Sequence, residues 1–393
     1  MDPNQIIFSK CHNISRELLD RYLETGGKGY DPSTLKFSLP ETFAPFGEKS
    51  YITSYRISRW LLAKGFEKPL CLVTTKKCFV KGDSLAATNL FGKQYTAERQ
   101  RLVDSILKQK LSSDLWSHDI PYRISDHKVP FPTPNLVTSF FVLNLFWKLI
   151  KEGQSQYIPL FIKACGSAFA VFHFSVVPNG ICFRYIPKFN YFVHNANIMM
   201  ALMLARSSQV DSNFHSQRFI EKAVSHTVSE YEKGHYSYSS FGRKNSTVDN
   251  YHTGYVIRFL NEITQYGVLS LELNHRSCKL VKLMVDDYVA LFCRNGFVFK
   301  SSTDYICSHS LAEAILIFKT FRGYSWFQRE EELLSAIQNT LPSLITPDLI
   351  LANAAILKKE NPKIISTAYY PRWSYAWMIF ALGFKVEGEQ QQQ

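Results

Sequence analysis

Acidic residues are scarce in this chain. Its 393 residues carry 33 Asp and Glu against 45 Lys and Arg, a formal charge of +12. That balance favours an anionic partner: nucleic acid, a membrane face or an acidic polymer. Nucleic acid is disfavoured, because the basic residues nowhere form a ladder interleaved with aromatics. Cysteines stand at 11, 71, 78, 165, 182, 278, 293 and 307, with no CxxC pair and no Cys/His cluster at zinc spacing. Met1 to Lys10 shows no secretory leader, so reduced thiols and a cytoplasmic location are expected, and the sequons at Asn13 and Asn245 carry no meaning. No run is clean enough to span a membrane. Tyr157 to Val177 comes nearest, but Lys163, Gly166 and His173 interrupt it, and it reads as a buried helix followed by a strand. GxGxxG, P-loop, HExxH and GxSxG are all missing, which removes the nucleotide, zinc-protease and serine-hydrolase classes these motifs mark. Gly26-Gly27-Lys28-Gly29 lacks phosphate-loop spacing and reads as a turn. No cofactor and no metal is called for, and no Pro/Gly/Ser-rich linker divides the chain.

What is present is a repeat. A polar or aromatic knot precedes a run of about a dozen largely apolar residues. Clear copies begin at Thr138-Ser139, His194-Asn195-Ala196-Asn197, Tyr251-His252-Thr253 and Ser308-His309-Ser310, with Thr138, Asn195, His252 and His309 each 57 residues apart. Pro371-Arg372-Trp373 supplies a later copy, and Thr53-Ser54-Tyr55, ahead of Ile57 to Leu62, a weaker early one. The runs are apolar on nearly all sides and predict buried helices. Between them lie amphipathic stretches: Ser15–Leu23, Ala97–Leu107, Arg218–Tyr231, Cys278–Phe292 and Glu330–Ile337. Buried and amphipathic helices in alternation predict an all-α fold, an (α/α)6 toroid of six helical hairpins with the buried helices inside. Short β-rich segments before the knots (180–185, 234–238, 296–299 and 364–370) are expected at its rim. Residues 1–388 are expected to form this single domain, and 389–393, a Gln-rich tail, to be disordered.

If each knot starts an inner helix, the knots gather at one end of the ring. Asp249, Tyr251 and His252 make the densest one; capping by Asp249 is the plain reading, and acid/base chemistry the functional one. His252, His309 and His194 recur at related positions, and histidine is a poor cap. Arg372 suits a bidentate clamp on a carboxylate, or a structural ion pair. Tyr185, Tyr238 and Tyr370 lie in the preceding β-rich segments. Asn195 and Asn197 offer amides for capping or for a ligand. Tyr30, Asp31, Trp116 and Trp373 complete a candidate substrate surface.

The order of knots resembles a bacterial family associated with exopolysaccharide biosynthesis, often mislabelled as delta-aminolevulinic acid dehydratase. Matching segments include Gly29-Tyr30-Asp31-Pro32, Thr133-Pro134 with Thr138-Ser139, Gly180-Ile181-Cys182-Phe183 with Val193 to Asn197, Val248 to Tyr255, Ser308-His309-Ser310 and Arg372 to Met378. Tyr251-His252-Thr253 bears a fainter similarity to a run in the C-terminal domain of D-glucuronyl C5-epimerases. The resemblance implies a six-hairpin toroid of the kind found in carbohydrate-active enzymes. Three functions follow. The first is an enzyme acting on uronic-acid-containing polysaccharide by C5 proton abstraction, an epimerase or a lyase. Tyr251 or His252 would be its base, His194 or Tyr238 its proton donor, and Arg372 its carboxylate clamp. The second is a glycoside hydrolase pairing Asp249 with Asp31, Asp119 or Asp304. The third is a non-catalytic polysaccharide-binding or assembly protein. The expected partner is an acidic polysaccharide or oligosaccharide, with association with membrane-bound glycan assembly machinery in view.

Overall fold

A computed structural model describes residues 3–30, 76–90, 95–124, 127–214, 216–234, 237–239, 248–346, 350–358, 361–367 and 369–383, with 53, 54, 56–58, 60, 61, 70, 71, 74 and 348. Among the described elements, helix α1 (Pro3–Glu24) is followed by five pairs. These are α2 (Val80–Thr88) with α3 (Thr96–Lys108), α4 (Leu136–Lys151) with α5 (Ile158–Val171), α6 (His194–Val210) with α7 (Gln217–Tyr231), α8 (Asn250–Ile263) with α9 (Leu271–Phe292), and α10 (Ser308–Phe321) with α11 (Glu330–Ser343). Helix α12 (Ala376–Gly383) comes last. The even-numbered helices pack on one another in order, and α12 returns to α2, closing a barrel of six. Each odd-numbered helix packs outside, and α1 covers α12, so the two ends of the chain make the sixth hairpin. This is the expected all-α (α/α)6 toroid, with one correction. The first inner place belongs to α2, not to the segment after Thr53.

Burial separates the two rings. In α6 every residue from His194 to Ser207 is buried, as are nearly all of α10. Such helices are stabilised by packing rather than propensity, each enclosed Leu, Ile or Met contributing roughly 1.5–3 kcal/mol. Outer α7 buries Ile220, Ala223, Val224, Thr227, Val228 and Tyr231 along one face at helical spacing, with His226 buried beside it. One hydrophobic cluster runs from Leu18 in α1 to Leu382 in α12. The Tyr157 to Val177 stretch is α5 followed by strand β3, as its interrupted pattern suggested.

Three inner helices are opened by side chains. Asn135 accepts from the Thr138 N–H, Asp249 from that of His252, and the Cys307 thiol from that of Ser310. Short antiparallel ribbons feed the helix starts: β1 (Tyr122–Ile124) with β2 (His127–Val129), β3 (Phe174–Val177) with β4 (Gly180–Phe183), and β5 (Cys293–Arg294) with β6 (Phe297–Val298). Asn295-Gly296, both at positive φ, turn the last of these. Before α12, β7 (Tyr305–Cys307), β8 (Ala354–Lys358) and β9 (Asn361–Ser366) form one sheet. These ribbons hold the rim from which the inner helices descend.

Candidate functional site

The first five inner helices are each followed by an outer helix running back, and α12 pairs with α1, so the six inner helices run the same way and start at one end. The start of α8 carries a carboxyl–imidazole dyad. Asp249 Oδ1 accepts from the His252 backbone N–H at 3.0 Å, and Oδ2 lies 2.8 Å from His252 Nδ1. The carboxylate thereby fixes the imidazole and leaves Nε2 as the nitrogen available for chemistry. The Asp249 side chain is 8% exposed and that of His252 22%, so the acid is enclosed and the ring reaches outward. Tyr238 lies against the His252 ring at 4.1 Å. Tyr191 links Tyr238 to Tyr185 through ring contacts of 6.4 and 5.9 Å.

Beside the dyad is an aromatic stack. Tyr251 stacks on His309 at 4.3 Å and His309 on Trp377 at 4.5 Å, while Trp373 meets His309 edge-on at 4.9 Å. The Tyr255 hydroxyl is 2.7 Å from His309 Nε2. Cations border the stack: Lys81 Nζ sits 5.0 Å from the Trp377 ring and 4.5 Å from Phe141, and Lys300 Nζ 5.8 Å from Tyr251. Arg372 lies 5.8 Å from the Trp373 ring, with a guanidinium nitrogen 3.5 Å from His118 Nδ1. Arg372 and Trp373 sit on a π-helical turn, Pro371–Tyr375, a local irregularity frequent at functional sites.

Burial sets the protonation of these groups. It pushes the phenols of Tyr238, Tyr251 and Tyr255 well above their ordinary value, so all three stay protonated near neutrality. Burial, followed by the charges of Lys81, His252, Lys300 and Arg372, holds His309 well below the usual imidazole range. The same causes, burial and then Arg372 and Lys81, depress His118. Among the described residues no group of three His, Cys, Asp or Glu side chains converges as metal ligands would.

The structure sorts the sequence-derived candidates. Asp249, Tyr251, His252, Tyr238, His309, Arg372, Trp373 and Tyr185 come together at the helix starts. Asn195 lies at the same level, buried, and its Oδ1 has no hydrogen-bond partner. His194 is a correction. Its ring faces α7, 3.2 Å from Thr227 Oγ1 and stacked on His226 at 5.4 Å, and burial drives it down to about 3. That takes it out of the proton-donor role. Asn197 is occupied by the fold, accepting from the Phe183 N–H and donating to Ala223 O and Thr227. Trp116 is a core residue rather than a wall; it is fully buried and donates to Ile106 O. Tyr30 and Tyr370 pack together with Leu70 under Trp373. Asp31 falls outside the described residues.

Sequence reasoning passed over Lys81, His118, Tyr255, Lys300 and Trp377. Three of them carry a signal. Tyr255 and Trp377 each follow a singled-out aromatic, Tyr251 and Trp373, by one helical turn. Lys81 had one too, since one 57-residue period back from Thr138 lands on it.

No protein-family model matches this sequence, and neither does any curated protein. Similar solved structures exist. A possible member of the GH105 family from Salmonella enterica serovar Paratyphi A matches over 77% of this chain and 81% of its own, at 10% identity and a TM-score of 0.54. A sugar epimerase from a ruminal bacterium matches over 77% and 84%, at 10% identity and 0.54. A D-mannose isomerase matches over 78% and 86%, at 10% identity and 0.52. Likeness at such identities belongs to the fold.

Proposed function

We propose that this barrel end is the active site of a carbohydrate-active enzyme acting on uronic-acid-containing polysaccharide, and that its reaction begins by removing the C5 proton of a uronate. Residues 1–388 act as one catalytic domain in this reading. The observation that carries it is the Asp249–His252 pair with Tyr238 on its ring: an enclosed carboxylate, an oriented imidazole and a protonated phenol within contact distance. Abstraction of a carbon acid beside a carboxylate needs a base, an opposing proton donor and a cation where charge develops. His252 Nε2 is the base. Of the two bases weighed from sequence, Tyr251 is the poorer, because burial opposes its phenolate. Tyr251 and Tyr238, protonated, serve better as donors and replace His194 in that role. Arg372 faces the carboxylate. Reprotonation at C5 from the other face gives the epimer, and loss of the C4 substituent gives an unsaturated sugar.

The similar folds include proteins called a sugar epimerase and a D-mannose isomerase, names that fit an enzyme working on sugars. A place in exopolysaccharide synthesis beside membrane-bound machinery follows from the family resemblance. No helix among the described residues is long and apolar enough to cross a membrane. The test is incubation with uronate polysaccharides in deuterated water followed by NMR. Either deuterium at C5 with inversion, or a C4–C5 double bond, is expected, and both should vanish in His252→Gln. New reducing ends without deuterium or unsaturation would mean hydrolysis instead and end this reading.

A further inference from the structure

The residues preceding the inner helices are Phe79, Asn135, Val193, Asp249, Cys307 and Tyr370. The second residues of the same helical segments are therefore Lys81, Val137, Asn195, Tyr251, His309 and Arg372. On six helices that run the same way around one axis, equivalent positions present equivalent faces. The contacts agree: Tyr251 stacks on His309, Lys81 and His309 share the Trp377 ring, and Arg372 and His309 share Trp373. We propose that these second residues form a ring that binds a sugar carboxylate, and that Lys81 is the residue selecting the charged sugar over its neutral counterpart.

Three observations carry this. Lys81 is 6% exposed and its ammonium lies over the Phe141 and Trp377 rings, contacts that hold a cation at this end of the barrel. Two ring members hold buried polar atoms with no hydrogen-bond partner, Asn195 Oδ1 and His309 Nδ1, and such orphans are rare inside proteins. Sugar hydroxyls supply the missing contacts. The positive ends of the inner helices meet here as well, which adds to the attraction for an anion. Val137 gives the ring one apolar wall.

The inference rests on the reading of the site given above and fails separately from it. Binding of galacturonate, glucuronate and mannuronate trimers is measured by calorimetry on the full chain, each against its methyl ester. The ester removes the charge and keeps the sugar. The wild type should prefer at least one acid over its ester by about tenfold or more, and Lys81→Met should lower that preference severalfold, leaving what Arg372 supplies, while Lys81→Arg should keep most of it. A folded Lys81→Met variant with the preference intact overturns the proposal. So does a wild type with acid-to-ester ratios near one, a result that needs no variant to fold. Lys81-dependent binding of glucose 6-phosphate without uronate binding overturns the carboxylate assignment. If the preference depends on Lys81 but C5 takes up no deuterium and no C4–C5 double bond forms, the subsite stands and the reaction falls. If Lys81→Met exchanges C5 at unchanged KM, the reaction stands and the subsite falls.

Discussion

Asp249 does two jobs with one carboxylate, and the two can be separated. Oδ1 caps α8, and Oδ2 holds the His252 ring. Asparagine is an equally good cap, but its amide donates to Nδ1 and forces the ring proton onto Nε2, the wrong tautomer for a base. Asp249→Asn should therefore leave stability within a few tenths of a kcal/mol yet lower kcat by about a hundredfold or more. Asp249→Ala should lose the same activity and about 0.5–2 kcal/mol of stability besides. Thermal unfolding beside C5 exchange rates checks both; equal activity in Asp249→Asn and wild type would remove the dyad from the mechanism. The knots made these residues visible in the sequence, but a knot does not say which way a side chain turns. His194 is the first residue of its helix and His252 the third of its own, and two residues are more than half a turn of helix. One faces an outer helix and the other faces Tyr238.

At the scale of elements, α8 and α10 meet through Gly254. A Cβ there would collide with the Glu313 side chain, so the glycine that closes the Asp249-to-Gly254 motif serves packing. Glu313 is fully enclosed and takes both bonds of a bidentate pair with Arg258, at 2.6 and 2.9 Å. Gly254→Ala should destabilise the fold by about 1–3 kcal/mol through overpacking. Arg258→Met should cost about 3–5 kcal/mol by stranding the Glu313 carboxylate, and adding Glu313→Leu should recover much of that. Denaturant titrations of the single and double variants decide it: additive losses would mean the pair is uncoupled. Helix type and order were legible because the inner runs of α4, α6, α8 and α10 are long and apolar. The start of the ring was not. α2 has nine residues and holds Lys81 and Asp83 among its buried positions, so it lacks an apolar run, whereas Ile57 to Leu62 shows one. Burial of polar groups at a site defeats a reading based on hydrophobicity.

For the whole molecule, the question is how a ring built in sequence order is shut. The period reveals the order of helices, but the seating of α1 on α12 joins residues some 350 positions apart and leaves no local mark. Asp83 sits at that closure. Its carboxyl is buried in α2, accepts from the Tyr22 hydroxyl of α1 at 2.8 Å, and lies 3.5 Å from Ser105 Oγ of α3. Burial raises it to about 7, against the opposing pull of those hydroxyls and of Arg101. A carboxyl raised on folding binds its proton more tightly in the native state than in the unfolded one. Its contribution is therefore fully present below about pH 4, is lost as pH rises, and is gone above about 7. A shift of this size corresponds to on the order of 4 kcal/mol across that window. Wild-type stability, followed by chemical unfolding from pH 4 to 8, should fall relative to Asp83→Asn by an amount of that order, since the amide has no proton to lose. Parallel curves for the two proteins would show that Asp83 is not the group that titrates. Because Lys81 lies on the same short helix, loosening of the closure at high pH should also weaken uronate binding, and in Asp83→Asn that weakening should disappear together with the stability slope.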